Sequence, residues 1–152
     1  MLLNVLKRKN HFSNLYASYP TVPFWENEDF SESEWKNNVI ARYNQSKAQG
    51  LSIYIHLPYC ENLCTYCGCN TRITKNHKVE EPYIDSLLKE WEMYRQLLGE
   101  ESLLIQEIHL GGGTPTFFQP ENLQRLISGI LQGNRKTADA SFSFEAHPAN
   151  TT

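Results

Sequence analysis

The sequence lacks cysteine everywhere except one ten-residue window, lacks any long apolar run, and lacks a strong charge of either sign. Its 152 residues carry 14 Lys and Arg against 17 Asp and Glu, a formal net charge of −3. That balance gives no sign of a nucleic-acid or membrane partner, and none is expected. No stretch approaches the roughly 18 apolar residues of a membrane-crossing helix. Met1 to Leu6 begins apolar, but Lys7, Arg8 and Lys9 interrupt it too soon for the core of a secretory signal. The expected location is therefore cytoplasmic, where thiols stay reduced and disulfides are rare. The chain also has no G-x-x-x-x-G-K-[ST] phosphate loop, and its glycine run lacks the G-x-G-x-x-G spacing of a dinucleotide turn. What remains is ample apolar material, 40% of residues with seven Phe, eight Tyr and three Trp, enough to pack a core.

All four cysteines fall between Cys60 and Cys69, spaced C-x-x-x-C-x-x-C-x-C. Thiolates are soft ligands that select zinc, Cu(I) or iron–sulfur clusters. A structural zinc site takes two cysteine or histidine pairs separated by a longer excursion, and no second pair exists here. Disulfides among such close neighbours would close tiny strained loops. An iron–sulfur cluster fits best, because it offers several iron corners that one short loop can wrap. A catalytic cluster, unlike a purely electron-carrying one, leaves one corner free of protein.

Residues 1–50 are expected to form an N-terminal arm and helix. The first thirty are irregular, with Pro20, Pro23 and the aromatics Tyr16, Tyr19, Phe24 and Trp25. Ser31-Glu32-Ser33-Glu34 has the S-x-x-E form of a capping box, and Trp35, Val39, Ile40 and Tyr43 follow at helical spacing up to Gly50. Residues 51–152 then alternate in type. Leu51 to Leu57 is a strand stopped by Pro58, and the cysteine loop follows it directly. A helix is predicted over Val79 to Leu98, with Pro82 in its first turn and Gly99 as its stop. A second strand over Leu103 to Leu110 runs into Gly111-Gly112-Gly113-Thr114-Pro115-Thr116. A helix over Pro120 to Gln132 turns Leu123, Leu126, Ile127, Ile130 and Leu131 inward, and Ser141 to Ala146 is a third strand. Strands alternating with helices imply an α/β fold with parallel pairing. Ligands of such sheets bind at the C-terminal ends of the strands. The cysteine loop, the glycine run and Glu145 all fall at such ends.

Each of these features also has a plainer explanation. The glycines can bring backbone close to a ligand, or simply make a tight turn. Glu145 alternates away from Phe142 and Phe144, either into a binding cleft or out to solvent. Tyr54 could pack on its strand. His56, His109 and His147 are single histidines near strand ends, more often structural than catalytic. Cys69 is either a bystander thiol or a participant in substrate chemistry.

Cys60, Cys64 and Cys67, with Tyr66 before the third, resemble the C-x-x-x-C-x-aromatic-C signature of radical S-adenosylmethionine (SAM) enzymes. Together with Tyr54-Ile55-His56-Leu57-Pro58-Tyr59, Cys67-Gly68-Cys69-Asn70, Gly111 to Thr116 and the arm Tyr16-Ala17-Ser18-Tyr19-Pro20-Thr21, the pattern is similar to the oxygen-independent coproporphyrinogen III oxidase (dehydrogenase) family. Ala17 departs from the family's usual Thr. The fourth cysteine, in C-G-C-N, sets these enzymes apart from the related haem chaperones, which are the alternative and usually carry an aromatic there.

The resemblance implies an incomplete (β/α)6 barrel, of which this chain is expected to be the truncated first part with three strands. It implies a 4Fe-4S cluster on Cys60, Cys64 and Cys67, with SAM at the open corner. Tyr54, Gly112 and Glu145 would contact that SAM. Tyr66, Gly113 and Thr114 would contact a second SAM molecule. Cys69 would be needed for activity without being a permanent ligand. The implied reaction is the oxidative decarboxylation of two propionates of coproporphyrinogen III to vinyl groups. It requires a low-potential electron donor that the sequence leaves unknown, and a monomer is expected for the full-length protein.

Overall fold

The computed structural model describes residues 31–147. The aromatic arm, including Tyr16 to Thr21, and the last five residues lie outside them. The chain falls into two compact units, Met1–Trp35 and Lys36–Thr152.

Helix α1, Glu32–Ser46, opens as the S-x-x-E pattern predicts, with the Ser31 hydroxyl accepting from the Glu34 amide at 3.3 Å. Tyr43 is its buried residue. Strand β1, Leu51–Leu57, follows, then two short strands, β2 (Tyr59–Cys60) and β3 (Arg72–Ile73), that flank the cysteine loop. A 3-10 turn, His77–Val79, leads into α2, Glu80–Leu98, which ends on Gly99 in the left-handed region at φ 66°. Strand β4 is Leu104–Gly112, α3 is Pro120–Leu131 and β5 is Arg135–Phe144.

The sheet has the order β1-β4-β5 with both pairings parallel. Its apolar face packs Ile55, Leu57, Ile105, Ile108 and Leu110 into one core with Ile84, Leu126 and Ile130 of the helices and Phe117 and Phe118 of the linking turn. Register shifts on both sides of Gln106 mark a bulge there. Simple alternation would send Ile105 and Ile108 to opposite faces; the extra residue lets both be buried.

Three sequence expectations need correcting. Strand β4 extends two residues beyond Leu110, because Gly111 and Gly112 still pair with His56 and Leu57. Strand β5 begins at Arg135, six residues before Ser141, and stops at Phe144 rather than Ala146. Its first half is polar, and four residues, Thr137 to Ala140, lie between the partners of Ile105 and Glu107. Hydrophobic alternation is therefore visible only in the second half, where pairing becomes regular. The β2–β3 pair went unforeseen, since two-residue strands carry no periodicity.

A buried carboxylate ties the helical layer together. Glu80 is 1% exposed. One oxygen accepts from the Gln119 amide at 2.8 Å and the Asn122 side chain at 2.7 Å, and the other meets His77 Nδ1 at 2.6 Å. The His77 ring in turn stacks on Phe117, 4.5 Å between centroids. Glu80 thus joins the N-terminus of α2 to that of α3. Glu80→Ala removes the buried acceptor that three polar groups share and is expected to cost about 2 kcal/mol of stability. Urea denaturation checks this: the midpoint should fall with the slope unchanged.

Candidate active site

The polar face of the sheet is assembled in rows across the strands. Tyr54, His109 and Ser143 are register partners on β1, β4 and β5. Tyr54 stacks on His109 at 5.8 Å, and His109 Nδ1 lies 2.8 Å from the Ser143 hydroxyl. Glu145 continues just beyond β5, its amide donating to the Leu110 carbonyl. Glu145 Oε2 accepts from the Gly112 amide at 3.0 Å, and Oε1 is 3.7 Å from His109 Nε2. The alternation of Glu145 away from Phe142 and Phe144 therefore places it over the glycine run.

Each glycine of that run answers a close neighbour. A Cβ on Gly111 would meet the Tyr54 ring at 2.8 Å and the Glu145 carboxyl at 3.1 Å. Gly112 has φ 109°, and a Cβ there would lie 2.6 Å from the His56 ring. A Cβ on Gly113 would meet the Pro58 backbone at 2.7 Å. The glycines let the β4 end nest against the β1 end and keep Glu145 and Tyr54 together.

His56, expected from its place near a strand end to be structural, links that nest to the cysteine loop. Its Nε2 donates to the Asn70 carbonyl at 2.7 Å, so Nδ1, 3.2 Å from the Tyr54 hydroxyl, is left to accept. The Tyr83 hydroxyl donates to the His56 carbonyl at 2.8 Å from below. Burial, then Tyr59 and Glu90, push the Tyr83 phenol above its ordinary value and keep it a donor. The signal that could have found His56 was its position two residues after Tyr54, on the same strand face.

The loop itself is held at both ends. Backbone pairing of β2 with β3 sets Cys60 opposite Ile73, with the Thr74 amide donating to the Cys60 carbonyl at 2.8 Å. The Cys67 amide donates to the Cys64 carbonyl at 3.1 Å, which closes a tight turn. Cys60 is buried, Cys64 and Cys67 are half-buried, and Cys69 is exposed; all four are free thiols. The Cys69 thiol is pushed above its ordinary value by local desolvation first, then by Cys67, Glu145 and Cys60. Tyr54 is pushed up by desolvation and by Glu145.

Cys60, Cys64, Cys67, Cys69, Tyr66, Gly112, Gly113, Thr114 and Glu145 line one cleft of about 260 Å³. Tyr54 is not among its lining residues; its ring stands against those of His109 and His56. Tyr66, 87% exposed, stands at the mouth with Leu63. Among the described residues, no three Cys, His, Asp or Glu side chains are gathered tightly enough to hold a single metal ion. The loop's donors are nonetheless all sulfur, the chemistry that suits an iron–sulfur cluster bound corner by corner.

A parallel β/α sheet with a thiol-rich loop and a glycine turn at its C-terminal edge is the framework of a radical SAM enzyme. The fold matches a solved coproporphyrinogen III oxidase from Escherichia coli, described as a radical SAM enzyme, with a TM-score of 0.76 and 31% identity over 99% of this chain and 31% of that one. Relatives named oxygen-independent coproporphyrinogen III oxidase include one from Escherichia coli, 32% identical over 96% of this chain. Another from Mannheimia haemolytica is 33% identical over 96% of this chain and 95% of its own length. No protein-family model matches. The chain belongs to the oxygen-independent coproporphyrinogen III oxidase family. It spans about 30% of the length of the Salmonella and Escherichia relatives.

Among the described residues, no helix is long and apolar enough to cross a membrane.

Proposed function

We propose that this chain is the cluster- and SAM-binding part of an enzyme that converts coproporphyrinogen III to protoporphyrinogen IX in haem biosynthesis. The observation that carries this reading is the single cleft shared by the cysteine loop, the glycine turn and Glu145. Cys60, Cys64 and Cys67 hold a 4Fe-4S cluster, whose chemistry with SAM is one-electron cleavage of a sulfonium and hydrogen abstraction from substrate.

The chain's own residues bind and orient. Glu145, fixed by the Gly112 amide, keeps lone pairs free to accept from an amine or ribose hydroxyl of SAM. Tyr54, braced on His109, walls the same side. Tyr66, Gly113 and Thr114 line the part of the cleft assigned to a second SAM. His56 holds the far end of the loop, at Asn70, so that Cys69 stays over the cleft. The partners are the porphyrinogen and an external low-potential electron donor, and the setting is the cytoplasm.

The intact protein, reconstituted anaerobically with iron and sulfide and then reduced, should release 5′-deoxyadenosine from SAM and consume coproporphyrinogen III. Stoichiometric haem binding with no porphyrinogen turnover would favour the haem-chaperone alternative, against which Cys69 stands.

A further inference from the structure

Thr114 is 9% exposed, and its hydroxyl lies 3.2 Å from the buried Cys60 sulfur, across 54 residues of sequence. The residue caps the 3-10 turn Pro115–Phe117, yet its side chain makes no capping bond there. A threonine at such a position ordinarily turns its oxygen onto the turn's own amides. Here those needs are met by backbone alone, the Phe117 amide donating to the Thr114 carbonyl at 2.8 Å. The Thr114 amide is likewise spent on the Tyr59 carbonyl at 3.0 Å. The Gly113 amide, donating to the Leu57 carbonyl at 2.8 Å, and that Thr114 amide bond fix the Thr114 main chain against β2. The Thr114 Cα is thereby held beside Cys60, where its hydroxyl meets the sulfur.

With Cys60 as a free thiol, either group could donate. A cluster-bound Cys60 is a thiolate with no proton, so the direction is then fixed: the threonine donates and the sulfur accepts. Hydrogen bonds to ligating sulfurs stabilise the electron-rich reduced state of an iron–sulfur cluster and raise its potential. We propose that Thr114 is a positioning residue that sets the reduction potential of the cluster through its hydrogen bond to Cys60. This rests on the cluster assignment above but goes beyond it, and it gives the hydroxyl a role separate from any contact with a second SAM.

The test is a redox titration of the intact holoprotein, followed by the electron paramagnetic resonance of the reduced cluster, for wild type, Thr114→Val and Thr114→Ser. Valine keeps the shape and removes the donor, and serine restores the donor. Thr114→Val should titrate at a more negative potential, with the ratio of reduced to oxidised cluster at a fixed poise lowered about tenfold, ~59 mV for one electron. Thr114→Ser should titrate close to wild type. An unshifted valine variant, or a serine variant shifted as far as valine, overturns the proposal. If Thr114→Val fails to take up a cluster, resonance Raman spectra of wild type in H2O and D2O decide. An isotope shift of an iron–cysteine stretch that persists in Thr114→Ser upholds the bond, and none removes it. A wild type that assembles no cluster sinks the cluster assignment itself, which is a different failure.

Discussion

The Cys64→Ala protein, reconstituted anaerobically with iron and sulfide, should come out colourless, its iron at background. Cys64 sits at the turn between Cys60 and Cys67, where its carbonyl accepts from the Cys67 amide. That backbone bond survives the substitution, so the turn persists while one thiolate is gone. Two thiolates from one loop cannot hold three iron corners, and Cys69, exposed near the loop's end, lies outside that trio. Because the side chain is only half-buried, the core beneath it is untouched, and far-ultraviolet circular dichroism should match wild type. A brown variant with full iron and sulfide would show that Cys69 or a residue from elsewhere supplies the third corner. The ligand assignment would then be wrong.

How much of this site was legible beforehand depends on range. The cysteine spacing and the glycine run are local patterns, so they were readable, as was the period-two alternation of Leu51 to Leu57. The parallel pairing of β1, β4 and β5 followed from strand–helix alternation alone. The N-terminal half of β5 was hidden because residues 137–140 leave the ladder, and no alternation marks a strand that is bulged and polar. The bonds from Thr114 to Cys60 and from Glu80 to Gln119 and Asn122 join residues 39 to 54 apart. Nothing in the local pattern of a threonine or a first-turn glutamate names so distant a partner. His56 was in view as a histidine near a strand end, but its role depends on Asn70 folding back over it.

Cys69→Ala should separate binding from turnover. The Cys69 thiol is exposed and lines the same cleft as Glu145. Its removal takes no corner from the cluster, so iron content and the visible spectrum should stay at wild-type levels. SAM cleavage to 5′-deoxyadenosine should also persist, since the Gly112 amide still holds Glu145 and Tyr54 still stacks on His109. Porphyrinogen turnover, however, should fall on the order of 100-fold or more, the size of effect expected when a group that delivers or accepts a hydrogen is deleted. Product analysis by chromatography reads both quantities in one reaction, as the ratio of 5′-deoxyadenosine to protoporphyrinogen formed. That ratio should rise sharply in the variant. Loss of the cluster together with the thiol would make Cys69 a ligand after all, and an unchanged ratio would reduce it to a bystander that the cleft merely contains.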